Sequence, residues 1–331
     1  MPRLTRRAAL AGAASLLAAP ALAQPSPWGA VAEAARSLAQ LHSVLVALDG
    51  ETVLERAFRG PGLDRPANTK SVSKSLVALL LGVAIDRGAV PSVRATLAEV
   101  APALVPPGAD PRVGALTLED LVTLRAGLQP TSGGNYAGWI ASGDWVRDAL
   151  SRPFVAEPGG RMIYSTGTTH VLGAALSEAT GRSLLALARD WLGGPLGIEI
   201  PAWTRDPQGR YLGGNEMALS PRAMLRVAEM MRRRGEWEGR QVVPRDWVAA
   251  SLRPVTGSPF SGLAYGYGWF LQSTPRGRMA IARGYGGQVI AAIPGGRLAL
   301  AITSDPTRPA RSGGYFGDLM DLIGREVLPL A

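Results

Sequence analysis

A serine and a lysine three positions apart, Ser71 and Lys74 in the sequence S-V-S-K, are the first residues whose types and spacing suggest chemistry. Positions i and i+3 share a helix face, so the Lys74 amine can reach the Ser71 hydroxyl. A serine hydroxyl is a weak nucleophile that needs a base, and a lysine can supply one when burial keeps it neutral. The spacing therefore predicts a nucleophile at Ser71 assisted by Lys74. A helix that begins with serines and exposes its lysine is the alternative.

Two further motifs have side chains or backbone groups suited to the same chemistry. Tyr164 and Thr166 precede a long predicted helix, and a buried phenol that faces ammonium groups can act as a general base. The sequence G-Y-G-G at 284–287 precedes a predicted strand, where free N–H groups can bind an oxyanion. Taken alone, a core tyrosine and a simple β-bulge are the alternatives.

The residue types that the chain lacks narrow the chemistry. It has no cysteine, which excludes disulfides, thiolate nucleophiles and thiolate metal sites. Two histidines, His42 and His170, are too few for a histidine-built metal centre, so we predict no metal and no cofactor. The sequence contains no G-x-S-x-G pattern, which disfavours a Ser-His-Asp hydrolase. Both histidines are predicted to be structural.

Basic residues outnumber acidic ones by 35 to 26, which gives a formal net charge of +9. The arginines are scattered rather than interleaved with aromatic residues, so we expect no nucleic acid as a partner. Residues 1–23 carry the pair Arg6 and Arg7, a small-residue apolar run and an A-x-A ending at Ala23. This pattern predicts a twin-arginine-type export signal, a periplasmic or secreted protein, and no integral membrane span after signal removal.

Strand patterns lie at both ends of the chain and helical patterns lie between them. Residue alternation and turn signals predict strands at 44–48, 52–56, 268–273, 279–282, 288–293 and 298–303. Apolar periodicity predicts helices at 28–40, 71–87, 118–125, 144–150, 168–192, 221–234, 244–252 and 315–327. We therefore predict an α+β fold in one domain at 24–331. Its antiparallel sheet combines N- and C-terminal strands, is flanked by helices, and has a mainly helical insertion at about 88–240.

Together the motifs resemble those of the β-lactamase-related serine hydrolases. This superfamily includes class C β-lactamases, low-molecular-weight penicillin-binding proteins, esterases and nylon-oligomer (6-aminohexanoate-dimer) hydrolases. Its members combine S-x-x-K, then Y-x-N/S/T, then a glycine-bearing strand motif near the C-terminus. The likeness extends over nearly all of the chain after residue 23, and the two motifs Y-G-Y-G-W at 265–269 and G-Y-G-G-Q at 284–288 are most similar to the nylon-oligomer branch. It implies a β-lactamase/transpeptidase-like fold.

The resemblance implies a role for each motif residue. Ser71 would be the acylated nucleophile, Lys74 its proton-shuttling partner, and Tyr164 the general base and acid. The backbone N–H groups of Ser71 and Gly287 would form the oxyanion hole, and Thr166 would bond the substrate or Lys74.

Further substrate contacts are predicted near these motifs, at Tyr136, Trp139, Tyr285 and Gly286. The first two, with Trp145, would form an aromatic lid, and packing within their own loop is the alternative.

One position departs from the pattern of the family. The lactamase and penicillin-binding branches usually have a lysine or histidine at the start of the third motif, where this chain has Gly284. Arg283 precedes it and would face the other side of an ideal strand. Loss of this cation favours neutral substrates.

Three functions remain open. The first is an exported serine hydrolase that cleaves small esters or amides through an acyl-enzyme on Ser71. The second is a β-lactamase or D-alanyl-D-alanine carboxypeptidase that uses the same residues on a lactam or peptide. The third is a non-catalytic cell-wall binding module, which the joint presence of Ser71, Lys74 and Tyr164 disfavours. No feature of the sequence indicates an oligomeric state.

Overall fold

The computed structural model describes residues 26–331. The export signal predicted at 1–23 lies outside the described residues. The strands, numbered along the chain, are β1 (Leu41–Leu48), β2 (Glu51–Ala57), β3 (Ala67–Asn68), β4 (Ala218–Leu219), β5 (Glu236–Trp237), β6 (Arg240–Gln241), β7 (Thr256–Gly257), β8 (Ala264–Tyr265), β9 (Phe270–Thr274), β10 (Gly277–Gly284), β11 (Gln288–Ala292) and β12 (Leu298–Ser304).

The α-helices are α1 (Pro27–Ser37), α2 (Val72–Asp86), α3 (Leu97–Val100), α4 (Pro111–Ala115), α5 (Leu118–Val122), α6 (Tyr136–Ile140), α7 (Trp145–Leu150), α8 (Thr166–Thr180), α9 (Leu184–Ala188), α10 (Gly194–Leu196), α11 (Pro221–Arg232), α12 (Arg245–Ser251) and α13 (Tyr315–Asp321). Turns of 3₁₀-helix lie at Pro102–Leu104, Gly133–Asn135 and Leu328–Leu330, and π-helical turns at Arg189–Gly193 and Leu322–Val327. None of the helices in residues 26–331 combines the length and apolar character needed to cross a membrane.

Eight strands form one antiparallel sheet in the order β2-β1-β12-β11-β10-β9-β8-β7. The N-terminal hairpin joins the C-terminal strands through β1 and β12, with Val44 opposite Ile302 and Leu48 opposite Leu298. Two short ribbons, β3 with β4 and β5 with β6, lie outside this sheet. The predicted α+β arrangement, in which strands from the two ends of the chain share a sheet, is confirmed.

The sheet separates two apolar layers, as the alternation along β10 illustrates. Ala280 and Ala282 face one core cluster, which contains the buried residues of α2, α8 and α11. Met279 and Ile281 face the other cluster, which contains those of α1 and α13. Side chains of a strand point alternately to the two faces, so each residue of β10 can be assigned to one layer.

Helix α2 is the central helix of the first layer. Every residue from Val72 to Ala84 is buried, and the helix lies between the sheet and α8. A helix that is apolar on all sides is stable only in the protein interior. The helix predicted at 71–87 is confirmed, and its N-terminus is fixed at Ser71.

The single helix predicted at 168–192 is wrong. Helix α8 ends at Thr180, and Gly181 follows with a left-handed φ of 64°. Ser183 then caps α9 by accepting a hydrogen bond from the N–H of Ala186. Glycine in this conformation is a common helix stop, and here it outweighs the continuous apolar pattern.

Candidate active site

Ser71 and Lys74 lie together at the N-terminus of α2. Lys74 Nζ is 3.1 Å from Ser71 Oγ, as the spacing of three residues predicts. Ser71 is the N-cap, and Lys74 is only 3% exposed although it carries an amine. The amine is within hydrogen-bond distance of the candidate nucleophile.

The surroundings of Lys74 favour its neutral form. Burial lowers the pKa of Lys74 from 10.5 to about 7, because the charged ammonium loses its hydration. Besides Ser71, Nζ contacts the Gly214 carbonyl oxygen at 2.6 Å and Thr166 Oγ1 at 3.3 Å. All three partners are uncharged. A neutral amine can donate its two N–H groups to Gly214 and Thr166 and direct its lone pair at the Ser71 hydroxyl.

Thr166 is held in place by two loop residues that cap α8. Ser132 Oγ accepts a hydrogen bond from the N–H of Thr166 at 2.9 Å and lies 3.0 Å from Thr166 Oγ1. Thr131 Oγ1 accepts from the N–H of Gly167 at 2.7 Å. These hydroxyls satisfy N–H groups that the first turn of a helix leaves free. The sequence analysis did not predict Ser132 as a site residue, and only its position before two glycines could have indicated it.

Tyr164 lies against the amine, with Lys74 Nζ 4.9 Å from its ring centroid. Burial raises the pKa of Tyr164, and this exceeds the opposing effects of the Ser71 hydroxyl and the positive charge of Arg283. A raised pKa keeps the phenol protonated at neutral pH, so the site does not favour the phenolate that a general base requires. Lys74 is the better candidate base, and the Tyr164 O–H is a candidate proton donor.

Gly284, the last residue of β10, touches the segment that precedes Ser71. A Cβ at this position would lie 2.2 Å from the carbonyl oxygen of Thr69 and 3.1 Å from Lys70 Cβ. No side chain fits there, so glycine allows the strand to approach the nucleophile. This is the close backbone approach that glycine in a strand indicates.

Hydrogen bonds in the turn after β10 correct the predicted oxyanion hole. The N–H of Gly287 donates to the carbonyl oxygen of Gly284 at 3.1 Å, so it is used within the turn. Gly286, with a φ of 83°, forms the bend. Within residues 26–331, the N–H groups of Ser71 and Tyr285 donate to no backbone carbonyl. Because Tyr285 directly follows Gly284, its N–H replaces that of Gly287 as the second candidate donor.

The chain matches the family model described as Beta-lactamase over residues 31–323. The protein belongs to the beta-lactamase family. Members of this family are serine hydrolases, and the protein is therefore an enzyme of that class. No curated protein matches the chain.

Solved structures with the same fold include hydrolases and penicillin-binding protein homologues. A proposed 6-aminohexanoate-dimer hydrolase from Bacillus anthracis has a TM-score of 0.74 and 17% identity over 88% of this chain and 79% of that one. EstCE1, a hydrolase with promiscuous acyltransferase activity, has a TM-score of 0.72 and 18% identity over 90% and 97%. A family VIII carboxylesterase has a TM-score of 0.70 and 19% identity over 91% and 96%. At such identities the likeness establishes the β-lactamase/transpeptidase-like fold.

Arg283 of this beta-lactamase family member faces the second layer, as its position on β10 predicts. Its guanidinium carbon lies 3.5 Å from the ring centroid of Phe316, and Nη1 donates to Ser312 Oγ at 3.1 Å. Burial lowers the pKa of Arg283 to about 10. The guanidinium is therefore held on the face of β10 opposite Gly284, where it also stacks on Phe260 at 5.5 Å and its charge opposes the effect of burial on the pKa of Tyr164.

The aromatic residues predicted to contact substrate occupy different environments. Tyr285 is 51% exposed, and the Tyr136 hydroxyl accepts a hydrogen bond from Asn215 Nδ2 at 3.0 Å. Trp139 is fully buried, and its Nε1 donates to the carbonyl oxygen of Trp145 at 2.8 Å. Trp139 therefore packs inside its loop and does not line the site. Tyr136 is linked to the site by its hydrogen bond with Asn215, which directly follows Gly214.

An ion pair stabilises the residue before the nucleophile. Lys70 Nζ lies 2.9 Å from Glu216 Oε1, and Asn68 also donates to Glu216. Both ion-pair partners have left-handed backbones, with φ of 51° for Lys70 and 69° for Glu216. Such angles are uncommon outside glycine. The pair joins the segment before Ser71 to the segment after Gly214, and no local sequence pattern predicts it.

Within residues 26–331, no three His, Asp or Glu side chains come together where they could hold a metal ion.

Proposed function

We propose that the protein is an exported hydrolase that cleaves small esters or amides through an acyl-enzyme on Ser71. The observation that carries the proposal is the buried Lys74 amine, 3.1 Å from Ser71 Oγ and with a pKa of about 7. A neutral amine at this distance can accept the hydroxyl proton and make Ser71 nucleophilic at neutral pH.

In the proposed reaction, Ser71 Oγ attacks the substrate carbonyl carbon while its proton passes to Lys74 Nζ. The N–H groups of Ser71 and Tyr285 stabilise the oxyanion that forms. The tetrahedral intermediate then expels the alcohol or amine, which takes a proton from the Tyr164 hydroxyl, and Lys74 returns a proton to Tyr164. Water next attacks the acyl-enzyme and gives its proton to Lys74. The acid is released, and Lys74 returns a proton to Ser71 Oγ.

The substrate class is proposed from what surrounds Ser71. On β10, Gly284 occupies the face toward the nucleophile, and the Arg283 guanidinium on the opposite face is engaged by Phe316 and Ser312, so we propose that it does not bind a substrate carboxylate. Phe260 packs edge-to-face on Tyr164 at 5.4 Å and is 44% exposed, and Tyr285 is 51% exposed. Exposed aromatic rings beside the site support neutral substrates with an apolar group. The similarity to esterases agrees with this proposal.

A serine replacement tests the proposal. Ser71→Ala should reduce turnover of p-nitrophenyl butyrate below about a hundredth of the wild-type value, because the nucleophile supplies most of the rate. Ser75→Ala, one helical turn further along α2, is the matched control and should remain active. A fluorophosphonate probe should label wild type and Ser75→Ala but not Ser71→Ala.

Other outcomes would support the other functions. Residual activity of Ser71→Ala above that level would refute the assignment of the nucleophile. Rapid turnover of a lactam, or a stable adduct of fluorescent penicillin on Ser71 without ester hydrolysis, would favour the β-lactamase or carboxypeptidase alternative. Absence of both labelling and turnover in wild type would favour the binding module.

Export is proposed from residues 1–23. Replacing Arg6 and Arg7 together by lysine should retain the full-length protein in the cytoplasm of a bacterial host that has twin-arginine export. Cell fractionation with an antibody against a C-terminal tag measures the distribution. Equal periplasmic yields from the wild type and the double variant would contradict this route.

A further inference from the structure

A buried histidine contacts the loop that carries the carbonyl partner of Lys74. His170 Nε2 lies 3.1 Å from Asp206 Oδ2, and both side chains are fully buried. The other ring nitrogen, Nδ1, accepts a hydrogen bond from the N–H of Gly213 at 3.3 Å. Since Nδ1 is the acceptor, Nε2 carries the ring proton and donates to Asp206. His170 thus bridges Asp206 and Gly213, the residue before Gly214.

Helix α8 and this loop form one unit around Lys74. His170 lies one turn after Thr166, so both residues face the same loop. A Cβ on Gly213 would lie 2.5 Å from the carbonyl oxygen of Thr169, and one on Gly214 would lie 2.6 Å from that of Thr166. The two glycines therefore let the loop backbone lie directly on the helix. Two partners of the Lys74 amine, Thr166 and Gly214, are positioned by this contact.

The orientation of the His170 ring is fixed by its neighbours. The ring packs against Trp139 and Trp145, with centroid distances of 5.9 Å and 5.7 Å. Asp206 is fixed in turn, because its Oδ1 accepts a hydrogen bond from the N–H of Arg210 at 2.7 Å. The lone pair of Nδ1 is consequently directed at Gly213.

We propose that His170 is a positioning residue for Lys74. By holding the N–H of Gly213, Nδ1 anchors the Leu212–Gly213 peptide, which lies two peptide units before the one whose Gly214 carbonyl accepts from Nζ. This inference rests on the proposed acyl-enzyme function, and His170 itself touches neither Ser71 nor the substrate. Without this hydrogen bond the amine loses a fixed acceptor, and its lone pair is no longer held toward the Ser71 hydroxyl.

Two replacements of His170 test the roles of its two ring nitrogens separately. His170→Gln keeps a donor near Nε2 for Asp206 but loses the acceptor for Gly213, whereas His170→Asn keeps an acceptor near Nδ1. We expect kcat for p-nitrophenyl butyrate to fall about 10- to 100-fold in His170→Gln, with KM within about twofold of wild type, and to fall much less in His170→Asn.

The pH profile provides a readout that a purely structural role would not change. In His170→Gln, the acidic limb of kcat/KM should move to lower pH, because the Lys74 ammonium loses the carbonyl that stabilises it. Tyr164 is the other ionisable side chain in contact with the amine, and Arg283 acts on Tyr164 in turn; neither is altered by the replacement. An unchanged acidic limb in His170→Gln would contradict the proposal.

Labelling of Ser71 by the fluorophosphonate distinguishes a failure of this proposal from a failure of the proposed function. If the fluorophosphonate fails to label wild-type Ser71, the proposed function fails. If all variants are labelled but kcat is unchanged in His170→Gln, or falls as much in His170→Asn, the positioning role is overturned. If His170→Gln does not fold, hydrogen exchange of the Gly213 backbone amide in the wild-type protein provides the test. Protection of the Gly213 N–H supports the proposal, and exchange as fast as in an exposed loop overturns it.

Discussion

The carbonyl oxygen of Gly214 accepts a hydrogen bond from Lys74 Nζ at 2.6 Å. This bond uses one N–H of the amine, and Thr166 is placed to accept the second, so the remaining lone pair of a neutral amine faces Ser71. A carbonyl is uncharged and holds the amine without the ion pair that would keep it protonated. The direction of the lone pair and the protonation state of Lys74 are therefore set by the same neighbours.

The pH dependence of the reaction should follow Lys74. Because the neutral amine is the proposed base, kcat/KM for p-nitrophenyl butyrate should rise with pH and level off above a pKa of about 7. A series of rate measurements between about pH 5 and pH 9 tests this. Lys74→Arg, which stays charged throughout, is the control and should be inactive at every pH. A flat wild-type profile would show that Lys74 is not the base.

Burial of Lys74 should also make stability depend on pH. Its pKa is about 7 in the folded protein and 10.5 ordinarily, so between these values the unfolded chain binds more protons and stability rises with pH. Lys74→Met does not titrate. The free energy of unfolding of Lys74→Met minus that of wild type should therefore decrease by about 2–3 kcal/mol between about pH 6 and pH 9. Urea unfolding at both pH values measures the change, and a constant difference would be the contrary result.

The ion pair of Lys70 and Glu216 should be coupled to activity. Lys70→Gln and Glu216→Gln should each lower kcat, and the double variant should lose less than the two combined, with a coupling of about 1 kcal/mol. The exposed pair of Arg297 and Asp49 at 2.7 Å is the control, and its coupling should be near zero with kcat unchanged. Full additivity of the Lys70 and Glu216 effects would contradict a role for the pair near Ser71.

Gly284→Ala should disrupt the approach of β10 to the nucleophile. The added Cβ would lie 2.2 Å from the Thr69 carbonyl, and moving that backbone should cost about 1–3 kcal/mol of stability and reduce kcat. Gly324→Ala adds its methyl group where no atom lies within 4 Å, so it serves as the control. Thermal melting and ester hydrolysis measure both effects. Wild-type activity and stability in Gly284→Ala would contradict the steric argument.

The features that depend on local contacts could be predicted from the sequence. The spacing of Ser71 and Lys74 depends only on helical periodicity, and the continuous apolar pattern of α2 requires burial on all sides. The direction of Arg283, toward the layer opposite Gly284, likewise follows from strand alternation. These features need no knowledge of distant residues.

The remaining features depend on contacts between distant residues or on the conformation of a turn. Gly214 reaches Lys74 across 140 positions, and no local pattern marks it as a partner. Several turn types suit a glycine-rich segment, and the one adopted uses the N–H of Gly287 and leaves that of Tyr285. An aromatic side chain such as that of Trp139 is typical of a lid, but its burial here depends on tertiary packing against His170.

The pairing of β1 with β12 has a consequence for the order in which the chain becomes active. Ser71, Lys74 and Tyr164 are synthesised long before β12, yet β1 cannot complete its pairing until residues 298–304 are available. Contacts between residues so far apart in sequence slow folding, because a long loop must close before they form. A nascent chain therefore contains all three side chains without the sheet that completes their site. Catalytic competence should appear only after synthesis has reached the C-terminal strand.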